Sequence, residues 1–252
     1  MKVCSLASGS SGNSLYIETG HSKILVDAGI SMRQIYLRLD SIDVDIKDID
    51  AVIVTHEHSD HTAAIKRLNI PTYVASATSH LWLDKVKDLK EFGSGSEFRI
   101  NDLLITPFSV PHDAIDPVGF TIESDNSEKV GLVTDIGMVT GLVRERLKGC
   151  NLLVLEYNHD TDIILYSHYP WELKQRIQGR LGHLSNTQAS ELLHGLMHGD
   201  LKHVVLAHLS RVNNKPEVAL QSAFKVVKKN GAHGSVNVSI APRKTIGEVI
   251  RI

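Results

Sequence analysis

The chain has 252 residues, 42% hydrophobic and 22% charged, with a formal net charge of −2. That length supports one large α/β domain with a sizeable core, or two small ones. The charge gives no general pull toward nucleic acid or an anionic membrane, so polyanion binding would need a local basic patch or bound metal. Cys4 and Cys150 lie in apolar surroundings without Cys-x-x-Cys spacing, which reads as two reduced buried thiols rather than a disulfide. The first residues form no apolar signal region and no apolar run reaches membrane-spanning length, so the expectation is a soluble, cytoplasmic protein.

Val3 to Leu6 reads as a strand that breaks into the small-residue loop from Ser8 to Ser14. That loop is either a phosphate cradle or a plain hairpin connection; it lacks the Lys-Ser/Thr ending of a P-loop. Leu15 to Glu18 and Lys23 to Asp27 form a predicted hairpin, with Asp27 closing the second strand. Ser31 is the expected cap of a helix through Leu39. An apolar run, Ala51 to Val54, then leads into His56-Glu57-His58-Ser59-Asp60-His61, followed by a predicted helix from Thr62 to Leu68. Thr72 to Ala75 is a predicted strand, Thr78 to Val86 a helix, and Glu97 to Ile100 and Leu103 to Ser109 two more strands. Strands from Val118 to Glu123, Lys129 to Thr134 and Leu152 to Leu155 follow. Helices are predicted over Trp171–Gln178, Thr187–Met197 (capped by Ser185 or Asn186) and Pro216–Lys229. The strands His203–Ala207 and Val236–Ile240 complete the pattern. No composition shift or linker divides the chain, so a single domain over 1–252 is expected.

Chemistry concentrates at the strand ends. Three imidazoles and the Asp60 carboxylate fall within six consecutive residues, directly after the apolar run Ala51 to Val54. In an extended segment residues two apart point the same way, so His56 and His58 can grip one ion while Asp60 and His61 face a second. His112, Asp135, Glu156 and His208 each follow a separate apolar strand. Catalytic groups of layered α/β proteins gather where several strand ends converge, so one cluster is expected. Asp27, also at a strand end, suits a carboxylate that orients a metal-bound imidazole.

The order His56-x-His58-x-Asp60-His61, then His112, Asp135 and His208, with Asp27 ahead of it, resembles the metallo-β-lactamase-fold hydrolases over essentially the whole chain. The resemblance implies an α/β fold, a four-layer αββα sandwich, with a two-metal site at one edge. It would assign His56, His58 and His112 to the first ion, Asp60, His61 and His208 to the second, and Asp135 to both. Imidazole and carboxylate ligands suit two Zn²⁺ or Mn²⁺ ions, or Fe, and the lack of Cys ligands argues against a structural zinc cage.

The segments Leu155 to Asp160, Tyr169 to Ile177 and Gly182 to Asn186 are similar to the YycJ/WalJ group of bacterial exonucleases of this fold. That likeness implies a 5′-to-3′ DNA exonuclease in DNA repair, acting through a hydroxide bridging the ions and oriented by Asp60. His183, steadied by Glu156, would act on the scissile phosphate. Arg211, Lys174, Arg176 and Arg180 are expected to track the nucleic-acid backbone, His159 to approach the metals or the phosphate, and Trp171 to stack on a base. The rival for the basic residues is a solvated helix face. The rival functions are a small-molecule hydrolase such as a cyclic phosphodiesterase or thioesterase, an RNA-processing nuclease, and a non-catalytic binding protein. The stretch between His112 and Asp135 is too short for the long arm expected of a tRNA-end nuclease.

Overall fold

A computed structural model describes residues 1–231 and 235–252. Strands β1 (Lys2–Ala7), β2 (Ser14–Glu18), β3 (Lys23–Val26), β4 (Ala51–Ile53), β5 (Thr72–Ala75), β6 (Leu89–Phe92) and β14 (Val249–Arg251) form one sheet, in the order β14-β1-β2-β3-β4-β5-β6. The second sheet holds β7 (Phe98–Ile100), β8 (Leu103–Ser109), β9 (Val118–Ser124), β10 (Lys129–Val133), β11 (Leu152–Glu156), β12 (His203–Ala207) and β13 (Asn237–Ile240), in the order β13-β12-β11-β10-β9-β8-β7.

Three apolar layers follow from strand alternation. Ile17, Ile24 and Ile53 of the first sheet interleave with Ile105, Phe120 and Val154 of the second, all fully or nearly fully buried. Each such side chain contributes about 1.5–3 kcal/mol on leaving water. The outer face of the first sheet is covered by α1 (Met32–Asp40) and the turns near Ile65 and Trp82. The outer face of the second is covered by α3 (Gly141–Arg146), α6 (Asn186–Leu196) and α7 (Pro216–Lys229). The result is the expected four-layer αββα sandwich. Cys4 and Cys150 are both free, and they are buried in different outer layers. No helix among the described residues is long and apolar enough to cross a membrane.

Two predicted helices take other forms. In place of a helix over Thr62–Leu68, a single turn, α2 (Ser59–Thr62), starts three residues earlier and gives way to turns. The cause is tertiary. The Asp60 carbonyl, which a helix would offer to Ala64 N–H, instead accepts from Asn13 N–H at 2.7 Å, and Ala64 donates to Ala28 O at 2.9 Å. Asp60 and His61 therefore sit within this turn rather than ahead of a helix. Thr78–Val86 is likewise a 3₁₀ segment, Ser76–Leu81, followed by turns. There the Thr78 and Ser79 hydroxyls donate back to the carbonyls of Ala75 and Ser76, an alternative to the helical ladder. Among the described residues, five short elements carry no sequence signal strong enough to predict them: a 3₁₀ turn at Ile46–Asp48, β6, α3, α4 (Thr161–Tyr166) and β14. β6 carries exposed Lys90 and Glu91 as an edge strand, and β14 is three residues long, so neither presents a periodic pattern.

Candidate active site

Parallel pairing aligns one end of both sheets. β3, β4 and β5 run together in the first, as do β10, β11 and β12 in the second. Asp27, His56, Asp135, Glu156 and His208 accordingly leave their strands at a common edge. Asp27, Asp135 and His208 turn there with φ of 63°, 55° and 55°. A left-handed backbone at a non-glycine residue costs on the order of 1–3 kcal/mol, and such strain collects at functional sites.

The imidazoles of His56, His61, His112 and His208 are each set by what holds Nδ1. His61 Nδ1 lies 2.7 Å from Asp27 Oδ2, and a carboxylate only accepts, so the proton sits on Nδ1 and the Nε2 lone pair faces away. Asn13 Nδ2 lies 3.0 Å from that Nε2. The Thr55 hydroxyl touches both Asp27 oxygens and His56 Nδ1 at 3.0 Å, while Thr55 N–H donates to Asp27 Oδ1 at 2.8 Å. His112 Nδ1 donates to Gly182 O at 3.3 Å. His208 Nδ1 donates to Glu156 Oε1 at 2.9 Å, and Ser8 Oγ accepts from His208 N–H at 2.7 Å. With Nδ1 so engaged, Nε2 of His56 and His208 is left buried without a hydrogen-bond partner, as a metal-binding imidazole requires.

Glu156 does more than the sequence suggested. Its Oε1 accepts from both His208 and His183, each at 2.9 Å, and its Oε2 accepts from the backbone N–H of Ile136 and Leu184 at 3.0 and 3.2 Å. His183 is presented by the loop ahead of α6. A capping box between Ser185 and Gln188 fixes the start of that helix. Gly182 lets the loop press against the end of α5 (Trp171–Gln178), since a Cβ there would meet Arg176 O at 2.2 Å.

The ligand-type atoms fall into overlapping sets, each within 4.8 Å: His56, His58 and His112; His56, His61 and Asp135; Asp60, His61 and His208; and Asp135, Glu156, His183 and His208. Asp135 belongs to two of them. His56 Nε2, Asp135 Oδ2 and His208 Nε2 are buried without a hydrogen-bond partner. Asp135 Oδ2 lies 3.2 Å from His61 Nε2 and its Oδ1 3.5 Å from His208 Nε2, so its carboxylate sits between these two imidazoles without a hydrogen bond on Oδ2. Three orphaned polar atoms in one cluster would cost about 1–3 kcal/mol apiece, and divalent cations bound in the overlapping sets would satisfy them. The donor set therefore fits divalent metal.

Charge in the cluster says the same. Burial opposes ionisation of Asp135, but His208 and His61 outweigh it and hold its pKa well below the usual range. Burial opposes the imidazolium of His208, yet Asp135, Asp60 and Glu156 push its pKa up to about 10. Burial also raises Glu156, and His183 and His208 overcome that to bring it to about 2. His56 moves the other way, pushed well down by burial and by its imidazole neighbours. The carboxylates demand positive charge at this spot.

The cluster opens into a pocket of about 160 Å³ lined by Ser10, His58, Asp60, His112, Asp135, His183 and His208, among others. Arg176 lines its rim and is paired with Asp113, Nε to Oδ2 at 2.9 Å. Arg180 and Arg211 are exposed, and Trp171 on α5 keeps 59% of its surface in solvent. Two expectations fail. Lys174 is buried, with Nζ donating to Leu165 O and Ser167 O at 2.7 and 2.8 Å; it caps the end of α4 and does not track a backbone. His159 is 2% exposed, bridged through its backbone to Ser185, and does not line the pocket. Burial holds its pKa down to about 4, so it is neutral and out of reach of a phosphate there.

Asn13, Thr55 and Ser8 carry no signature of a site role in the sequence, although Asn13 and Ser8 lie in the small-residue loop between β1 and β2. That loop is a hairpin connection whose Ser10 reaches the pocket wall. Gly29 is needed beside it, because a Cβ would sit 1.6 Å from Asp60 O. Gly29→Ala is expected to displace Asp60, lowering the melting temperature by several degrees and the bound metal per chain. Overpacking of this kind costs about 1–3 kcal/mol or more. Unchanged melting and unchanged metal content would rule the contact out as a determinant of the site.

Fold and site together are those of a metal-dependent hydrolase. The Beta-lactamase superfamily domain matches residues 22–209, and the chain belongs to that family. An exodeoxyribonuclease YycJ of Bacillus anthracis is 34% identical over 243 residues, 90% of this chain and 89% of the relative. An exodeoxyribonuclease WalJ of Streptococcus pneumoniae is 37% identical over 230 residues, 86% of this chain and 85% of the relative. Among solved structures, the metallo-beta-lactamase fold protein YhfI of Bacillus subtilis superposes with a TM-score of 0.76 at 19% identity, covering 98% of both chains. It shares the fold.

Proposed function

We propose that the chain is a phosphodiester hydrolase acting on DNA from the 5′ end, with His56, His58 and His112 holding one divalent ion, Asp60, His61 and His208 a second, and Asp135 touching both. Zn²⁺ and Mn²⁺ both suit these ligands. The observation that carries the reading is the Glu156 bridge, which ties His183 at the pocket wall to His208 within the cluster. The kinship with two exodeoxyribonucleases over most of the chain supports the substrate class.

Bound divalent ions would supply acidity to water and would neutralise charge on phosphoryl oxygens. The chain's own groups do the rest. Asp60, partly exposed in the pocket, accepts a hydrogen bond from the attacking water and so aims it. His183 keeps Nδ1 on Glu156, leaving Nε2 on the far edge of its ring to donate a hydrogen bond or proton to the departing oxygen. Glu156 touches no substrate; it positions both imidazoles. Arg180, exposed just after α5, offers a cation to a phosphate and Trp171 an exposed ring to a base, while Arg176 at the rim is held by Asp113.

Metal-loaded protein incubated with end-labelled duplex DNA, single-stranded DNA, RNA and a small phosphodiester tests this reading. Products shortened stepwise from the 5′ end of DNA are expected. Turnover of the small diester alone would overturn the nuclease assignment, and preference for RNA would redirect it.

A further inference from the structure

The catalytic pocket, at about 160 Å³, is smaller than the roughly 300–1,000 Å³ usual for a ligand site, so a polymeric substrate must run beyond it. A cavity of about 600 Å³ lies directly alongside. Ser10 lines the pocket and Ser8 the cavity; His208 lines the pocket and Leu209 the cavity. Two chain segments, joined by the hydrogen bond from His208 N to Ser8 Oγ, thus form a shared wall.

The cavity is basic. Arg211, Arg243 and Lys244 line it and no acidic residue does. None of the three forms an ion pair among the described residues. Arg243 is fixed in place: its Nη2 donates to Leu209 O at 2.6 Å, and its Nε is buried without a partner. Lys244 is held through its carbonyl, which accepts from Arg38 Nη2 at 2.7 Å. Burial, and then the nearby Arg211, lower the pKa of Arg243, with Tyr169 opposing them. Leu209 and Pro242 give the same cavity an apolar wall. Paired cations and apolar surface suit phosphates and the sugars or bases between them. On the opposite rim, by contrast, Arg176 is already neutralised by Asp113.

We propose that this cavity is a strand-binding subsite, in which Arg211, Arg243 and Lys244 hold phosphates of a single nucleic-acid strand running from the scissile bond over the Ser8–Ser10 wall. The subsite rests on the phosphodiesterase reading and assigns the side of the pocket on which the strand continues. Arg243 and Lys244 belong to no motif that the sequence singled out for binding.

The test uses metal-loaded protein and a fluorescent single-stranded oligonucleotide with a hydrolysis-resistant phosphorothioate backbone. Arg211→Gln/Lys244→Gln changes two exposed side chains and leaves the Arg243 tie intact. The double variant is expected to weaken binding about tenfold or more. It should also reduce the salt slope of log Kd by about 1.4, two contacts at ~0.7 each on a single strand. Equal affinity and equal slope in wild type and variant would overturn the subsite, as would absence of strand binding by the wild type. Binding that responds as expected, without cleavage of an ordinary oligonucleotide, would remove the nuclease reading and leave the subsite standing.

Discussion

Asp135→Ala is expected to abolish the paired site: bound metal should fall to one ion per chain or fewer. Hydrolysis should drop by at least about 10³-fold in kcat/KM, near 4 kcal/mol. Asp135 is the carboxylate that appears both with His56 and His61 and with Glu156, His183 and His208. Asp60 is a poor substitute: it lies 3.8 and 3.9 Å from Nε2 of His61 and His208, farther than Asp135, and belongs to only one of the ligand sets. The loss must be separated from unfolding, since Asp135 also balances the buried charge of those two imidazoles. Asp135→Asn keeps the shape and removes the charge, so both variants are compared by elemental analysis and thermal melting. Full metal content with normal turnover in the folded variants would overturn the assignment.

His183→Ala is expected to behave in the opposite way. Its ring contributes to the pocket wall but is fastened outside the first three ligand sets. Metal content and melting should stay near wild type while kcat falls by about 10²–10⁴-fold, the usual worth of a positioned acid, with little change in KM. Glu156→Gln provides the contrast. The amide keeps one acceptor but loses the charge, and it turns an NH₂ toward groups that are all donors: two imidazoles and two backbone N–H groups. It should lower kcat as His183→Ala does and, through His208, weaken metal binding by about 10–100-fold. A His183→Ala enzyme with wild-type turnover would remove the catalytic role, and a Glu156→Gln enzyme with intact metal affinity would remove the link to His208.

Much of this site could be read before folding because its chemistry is local or repeats by position. His56, His58, Asp60 and His61 declare themselves by spacing, and His112, Asp135 and His208 by following apolar strands. What stayed hidden depends on chain segments far apart in sequence. Asn13 touches His61 across 48 positions and Glu156 touches His208 across 52. Long-range contacts also explain why the helix expected over Thr62–Leu68 does not form, its ladder yielding to Asn13 and Ala28. Lys174 looked like a free cation because helical periodicity does not reveal that the carbonyls of α4 end against it. His159 was misplaced by one link: it follows the right strand but turns under α6.

The division of ligands between the sheets has a mechanical consequence. His56, His58, Asp60 and His61, with Asp27 orienting His61, belong to one layer; His112, Asp135 and His208, with Glu156 orienting His208, belong to the other. Between them lies the seam of Ile53, Phe120 and Val154, tens of atoms of dry contact that set the gap across which ligands must meet. Ion affinity is therefore a gauge of layer spacing. A methyl group removed from that seam, well away from any imidazole, would let the two edges drift, and the loss would register at the cluster before it registered as unfolding. The sandwich serves here as a vice whose jaws are the two sheet edges.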